Sequence, residues 1–138
     1  MSYKSTLYSQ YKSGLETAIN SLHNAKLTER VISTNFLPIV EIKHLNYDLD
    51  SETMGKEKQF IRIGYEINIY AEDMVDGTSL IEGETIVADL EEIVIDYFNT
   101  EGFTFSTPSV ANADVNVSRK LIRVSAVYDE NRNVVYRG

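Results

Sequence analysis

Residues 60–72 read FIRIGYEINIYAE, and every odd position from Ile61 to Ala71 in this stretch is apolar or aromatic. The even positions are mostly polar, charged or small. Successive side chains of an extended strand point to opposite faces, so the pattern predicts one long strand with an apolar face and a polar face. Such alternation is typical of an antiparallel sheet that is covered on one side only.

A helical pattern follows this strand. Apolar residues recur every three to four positions, which predicts an amphipathic helix with one buried face. Ser79 and Glu82 have the spacing of a capping box at its start, and Gly102 is the residue type that commonly ends a helix. The predicted buried positions are Ile86, Val87, Leu90, Ile93, Val94, Tyr97 and Phe98.

The remaining elements complete an α+β prediction. Residues 3–24 carry a helical stripe interrupted by Gly14, which we expect to mark a close approach to a neighbour. Residues 25–35 are predicted to be a polar connection, and Pro38 indicates an edge strand or a strand that begins there. A last strand occupies residues 112–127, with a bulge near residues 119–122, where its alternation changes phase.

The sequence therefore predicts a single α+β domain over residues 1–138, in which a mainly antiparallel sheet carries an N-terminal helix and a second amphipathic helix on one face. The net charge of −8 argues against tight nucleic-acid binding, which usually needs a basic patch. The chain has no cysteine, which excludes disulfides and thiolate chemistry. We expect neither a signal peptide nor a membrane span.

We predict no metal site, no cofactor and no catalytic residue. The best calcium-like string, residues 48–52, lacks the required glycine and glutamate, because Thr53 and Gln59 hold those positions. Asp89, Glu92 and Asp96 share a helix face, where a solvated or subunit-facing acidic stripe is favoured over acid/base catalysis. The two histidines have no metal-ligand spacing relative to each other.

The tyrosines of the first helix leave two interpretations open. The chain has nine tyrosines and no tryptophan, and three of the tyrosines, Tyr3, Tyr8 and Tyr11, lie close together near the N-terminus. They are either core residues or part of an interface, because tyrosine is enriched at protein interfaces.

The order of these elements, with their particular residues, resembles the tail terminator proteins of tailed bacteriophages and related prophage elements. The resemblance spans most of the chain, and its motifs are structural rather than catalytic. The segments that carry it are residues 37–42, the strand at 64–73, the helix end at 96–98, the junction at 101–103, residues 108–114, Arg119, and residues 123–124.

This resemblance implies a structural virion protein rather than an enzyme. Tail terminators form a ring, typically a hexamer, on the head-proximal end of the tail tube, where they stop polymerisation and present a surface for the head connector. DNA passes through the ring without specific binding. The partners implied are further copies of the chain, the tail-tube protein and the connector or stopper protein. The implied locations are the virion neck and, during assembly, the host cytoplasm.

Two hypotheses assign residues to this function. The long polar connection around residues 47–59 is predicted to contact another subunit or the tube. Its candidate contact residues are Asp48, Asp50, Glu52, Lys56 and Lys58. The second hypothesis places Glu91, Glu92 and Asp96 on the channel wall, where an acidic surface would keep DNA from sticking.

Two alternatives stay open at this point. A head-completion or stopper protein of the phage neck has the same size and the same partners, and it would bind on the portal side. A small ligand-binding or enzymatic α+β domain would instead present a concave pocket with converging polar groups.

Overall fold

The computed structural model describes residues 3–20, 25–29, 38–45, 60–76, 78–108, 117–129 and 134–136. These residues form an α+β fold with two helices and a mainly antiparallel sheet, as predicted. In chain order the elements are α1 (Tyr3–Ile19), β1 (Lys26–Thr28), β2 (Ile39–His44), β3 (Phe60–Ala71), β4 (Met74–Asp76), β5 (Ser79–Ile81), α2 (Gly83–Thr100), β6 (Thr104–Ser106), β7 (Ser118–Asp129) and β8 (Val134–Tyr136).

The predicted long strand is the centre of the sheet. The strand order is β1-β2-β3-β7-β6, and β8 also pairs with β7. All pairs are antiparallel except β1 with β2. β3 pairs with β7 over its whole length, from Phe60 opposite Asp129 to Ala71 opposite Ser118. The two longest strands therefore hold the sheet together.

The apolar face of β3 forms the core with both helices. Its odd positions from Ile63 to Ala71 are buried in one cluster with the inner faces of α1 and α2. On α2 the buried apolar residues are Ile86, Val87, Leu90, Val94 and Phe98. Ile93 and Tyr97, which were predicted to be buried, are partly buried and pack against this cluster. The helical stripe and the strand alternation are thus confirmed.

The ends of α2 differ in how well the sequence predicts them. Gly102 has a φ of 93°, the left-handed conformation expected after a helix. The predicted capping box is wrong, because Ser79 lies in β5 and Glu82 makes no side-chain cap. The backbone N–H of Gly83 instead donates to Asp73 Oδ1 at 2.8 Å. A carboxylate ten residues earlier therefore caps the helix.

Two segments between the longer elements contain short strands. The segment at residues 25–35 includes β1, which pairs with β2, and the acidic stretch after β3 folds into the β4–β5 hairpin. Three-residue strands are too short to show periodicity, so the apolar spacing does not reveal them. β2 begins directly after Pro38 and has a neighbour on each side, so this strand begins at the proline and is not an edge strand.

The predicted bulge in the last strand is absent. β7 opposes β3 residue for residue without interruption. The phase change arises because Leu121 is buried on one face of the sheet while Ile122 and Val124 are buried on the other. When neighbouring residues are buried on opposite faces of a sheet, the apolar alternation in the sequence changes phase although the strand has no bulge.

The first helix ends earlier than predicted within the described residues. α1 stops at Ile19, and residues 21–24, which the prediction included, lie outside the described part. Gly14 marks a close approach, as expected, because a Cβ at this position would collide with the Tyr97 hydroxyl. In the part of the chain that the structure describes, no helix combines the length and apolar character that a bilayer crossing requires.

Candidate functional site

The face of the sheet opposite the helices carries a polar network, which we call the polar sheet face. It consists of Glu41, Lys43, Glu66, Asn68, Arg119 and Arg123. Register places these side chains together, because Glu41 opposes Asn68, and Glu66 lies between Lys43 and Arg123. The even positions of β3 therefore build this face, just as its odd positions build the core.

Asn68 is the centre of this network. It is 1% exposed, and its Nδ2 donates to Glu41 Oε1 at 3.3 Å and to Glu66 Oε2 at 3.4 Å. Arg119 donates to Asn68 Oδ1 from Nε at 3.1 Å and from Nη2 at 2.8 Å. A buried amide stays favourable only when its donors and acceptors are satisfied, so this set of residues fixes one arrangement of the three strands.

The outer part of the polar sheet face is cationic. Lys43 Nζ lies 3.5 Å from Glu41 Oε1, and Arg123 Nε lies 3.3 Å from Glu66 Oε1. The Lys43 and Arg123 side chains are 51% and 50% exposed, whereas those of Glu41 and Glu66 are 6% and 19% exposed. A molecule that approaches this face therefore meets the cations first.

Tyr70 extends the same face towards the end of β3. The Arg119 guanidinium carbon lies 5.7 Å from the centre of its ring, which is within cation–π distance. Burial raises the pKa of the Tyr70 hydroxyl, and the nearby Arg119 charge opposes that shift. Tyr70 is therefore a neutral, half-buried member of this surface at physiological pH.

The outer side of α2 carries an exposed acidic ridge on the opposite side of the molecule. Its members are spaced by four residues and all are exposed: Glu84, Ala88, Glu92 and Asp96. The helix contains no lysine or arginine. Glu91 is different, because its carboxylate lies 3.4 Å from Lys120 Nζ and its side chain is 23% exposed.

The three residues assigned to the channel wall are therefore not equivalent. Glu92 and Asp96 lie on the exposed ridge, whereas Glu91 is directed towards β7 and paired there. Their position relative to a channel stays a prediction. The five candidate contact residues between Asp48 and Lys58 lie outside the described residues.

The β4–β5 hairpin presents a small apolar surface. Val75 and Leu80 oppose each other across its two strands and are 72% and 64% exposed. The hairpin is a separate two-stranded sheet, and Met74 and Ile81 anchor its base to the core. The hairpin was not predicted, although apolar residues on both sides of Asp76-Gly77 are a hairpin signal.

The tyrosine question is answered differently for each residue. Tyr11 is a core residue, with its ring centre 5.0 Å from that of Phe103. Tyr8 is half-buried, and its hydroxyl donates to Glu29 Oε2 at 3.0 Å. Lys12 binds the other oxygen of this carboxylate at 2.6 Å, and these bonds lower the pKa of Glu29. The side chain of Tyr3 lies outside the described residues.

One groove on the described part of the chain was considered as a small-molecule site. This groove of about 360 Å³ lies between α1 and β1, and its charged lining residues, Glu16 and Lys26, are both exposed. No group of three or more potential metal ligands occurs among the described residues. The features described above are surfaces: the polar sheet face, the acidic ridge and the hairpin.

Compared with models of known protein families and with curated protein sequences, the chain matches none.

Proposed function

We propose that this protein is a structural component of a phage virion that caps the head-proximal end of the tail tube as a ring. The ring ends tube polymerisation and forms the surface that joins the head connector. Its partners are further copies of the chain, six in a typical ring, the tail-tube protein and the connector. The basis for this proposal is the sequence resemblance together with a set of surfaces suited to protein contacts.

The exposed apolar pair on the hairpin is the observation that carries the proposal. Val75 and Leu80 are directly opposite each other, so they form one continuous patch. Exposed apolar patches with polar surroundings are typical of protein interaction sites. Glu72 and Glu82, at the base of the hairpin, are exposed and provide such a polar border. We infer that this patch contacts the tail tube.

A two-stranded hairpin is only marginally stable by itself in water. The β4–β5 hairpin depends on the packing of Met74 and Ile81 at its base, while its outer residues have no such support within the described chain. A partner that covers Val75 and Leu80 would stabilise the hairpin and bury both side chains. Full burial of a valine or leucine side chain contributes about 1.5–3 kcal/mol.

The overall charge is compatible with DNA passage through such a ring. The net charge of −8 disfavours binding to phosphate, so DNA would pass without being retained. The channel-wall assignment of Glu92 and Asp96 is one version of this idea, and it is the alternative to a contact between subunits through the same two carboxylates, because a carboxylate covered by a neighbouring subunit does not face DNA. The pairing of Glu91 with Lys120 makes Glu91 a weaker contributor to a negative wall.

The test combines the purified protein with the tail-tube protein from the same genome. Negative-stain microscopy is expected to show rings at one end of each tube, and light scattering is expected to show that tube growth stops. Val75→Ser/Leu80→Ser should abolish capping. Phe105→Ser is the matched control, because it removes another exposed apolar side chain from a different strand.

Continued tube growth with the wild-type protein would contradict the terminator proposal. Binding to the portal-side complex in place of the tube would identify a stopper protein. If the hairpin variant Val75→Ser/Leu80→Ser caps as well as the wild type, the contact with the tube lies elsewhere on the molecule.

A further inference from the structure

We propose that copies of this chain bind one another head to tail, with the acidic ridge of one copy against the polar sheet face of the next. The acidic ridge is Glu84, Ala88, Glu92 and Asp96 on α2. This inference rests on the proposed ring and names the surfaces that would build it. Complementary charge and opposite placement in the fold identify the two surfaces.

The acidic ridge combines like charges without local compensation on its own helix. Glu92 and Asp96 are one turn apart, and like charges at this spacing destabilise a helix by a few tenths of a kcal/mol. α2 offers no lysine or arginine to offset this repulsion. Ala88 keeps the middle of the ridge flat, so a neighbouring surface can approach the helix closely.

The polar sheet face supplies the opposite charge at a matching spacing. Lys43 and Arg123 lie on either side of Glu66, two strand spacings apart, which is about 10 Å. Glu92 and Asp96 are about 6 Å apart along the helix axis, and long cationic side chains span the difference. The carboxylates of the sheet face lie deeper than its cations, so opposite charges meet first.

The two surfaces cannot meet within one molecule. α2 packs on the face of the sheet that carries Ile67 and Lys120, whereas Lys43 and Arg123 lie on the other face. A contact between them therefore joins different patches on successive copies. Such a heterologous contact forms a closed ring when the rotation between copies closes, and it forms a filament when it does not.

Charge reversal tests this contact directly. Glu92→Lys/Asp96→Lys places cations on the ridge, and Lys43→Glu/Arg123→Glu places carboxylates on the sheet face. Each variant alone should self-associate at least about tenfold more weakly than the wild type, because like charges then face each other. An equimolar mixture of the two should recover association, since each ridge then finds a sheet face of opposite charge.

Sedimentation velocity at low salt provides the measurement, up to about 1 mM protein, which populates even a contact of millimolar dissociation constant. Gln10→Lys/Glu16→Lys/Thr17→Lys is the control, because it changes the net charge as much as the ridge reversal does, at exposed positions of α1 away from both surfaces. Circular dichroism checks folding. If the sheet-face reversal unfolds the chain, Lys43→Gln/Arg123→Gln replaces it and should also weaken association about tenfold.

A wild-type protein that stays monomeric at every concentration would overturn the inference. This holds also if Lys43 and Arg123 are then found to bind a different anionic partner. Two reversal variants that fail to recover association when mixed would overturn it as well. The tube-capping test is independent of these results. Self-association without capping refutes the terminator function alone, and capping without self-association through these surfaces refutes this contact alone.

Discussion

Gly14 shows how a single missing side chain permits the helices to pack. The Tyr97 hydroxyl of α2 occupies the space that a Cβ on Gly14 would need. Glycine in a helix interior costs up to about 1 kcal/mol relative to alanine, so it persists here because of the contact. The sequence indicates the close approach, but only the structure identifies Tyr97 as the neighbour.

We expect Gly14→Ala to destabilise the protein by about 1–3 kcal/mol, as overpacking of a filled site usually does. The same change in an open helix would stabilise it. Urea unfolding of Gly14→Ala, Tyr97→Ala and the double variant measures the coupling between the two positions. The double variant should be less destabilised than the sum of the single variants. Additive effects would show that the contact does not limit the packing.

The pKa of the Tyr97 hydroxyl predicts how the stability of the protein depends on pH. Burial raises this pKa from 10.0 to about 12. The folded state therefore keeps a proton that the unfolded chain loses, so stability falls as the pH rises from 10 towards 12. Urea unfolding across this range should show the loss, and Tyr97→Phe should lose less stability over the same range. Equal losses in the two proteins would exclude Tyr97 as a source.

The side chain of Asn68 links three neighbouring strands by hydrogen bonds. It is the shared partner of Glu41, Glu66 and Arg119 on the polar sheet face. Removing one member of a buried network leaves polar groups unsatisfied, which costs about 1–3 kcal/mol. We expect a loss of this size for Asn68→Ala by urea unfolding, and less than about 0.5 kcal/mol for the exposed control Thr104→Ala. A small loss for Asn68→Ala would show that other groups satisfy the network.

At the scale of elements, the sequence pattern and the structure assign the N-terminal cap of α2 to different residues. The pattern assigns the cap to Ser79, whereas the structure assigns it to Asp73. Loss of a capping side chain costs about 1 kcal/mol. Asp73→Ala should therefore lower the free energy of unfolding by about that amount, and Ser79→Ala should leave it nearly unchanged. The reverse order would restore the capping box as the correct description.

The long elements are predictable because the spacing of their buried residues repeats several times along each element. β3 and α2 have twelve and eighteen residues, and their apolar spacing predicts both type and orientation. β1, β4 and β5 have three residues each, which is too short for periodicity, so only the turn residues between β4 and β5 give a local signal and tertiary contacts define β1. β7 misled the prediction because it buries residues on both faces, which an alternation rule treats as an irregularity.

At the scale of the whole molecule, the sequence predicts which residues are charged but not which charges share a surface. Glu92 and Asp96 could be grouped in advance because one helix holds them at a spacing of four residues. Lys43 and Arg123 are eighty residues apart in the chain, and only strand register brings them to the same face. The polar sheet face therefore could not be predicted from local patterns, whereas the Glu92 and Asp96 part of the acidic ridge could; Asp89, which was grouped with these two, is only partly exposed and is not part of the ridge.

The two proposed contacts should respond differently to salt. Self-association through the acidic ridge and the polar sheet face depends on exposed charges, which are screened as the Debye length falls from about 10 Å at 0.1 M to about 3 Å at 1 M. Tube binding through Val75 and Leu80 depends on apolar burial, which salt does not screen. Raising sodium chloride across this range should weaken self-association strongly, while binding of the tube by the hairpin changes little.

Sedimentation velocity measures the first contact, and pelleting with preformed tubes measures the second. The ridge variant Glu92→Lys/Asp96→Lys should have lost the salt-sensitive association yet still bind tubes, although it should cap them less efficiently. The hairpin variant Val75→Ser/Leu80→Ser should show the opposite behaviour. If both contacts weaken together with salt, the hairpin and the charged surfaces form one interface, and the separation of subunit contacts from tube contacts is wrong.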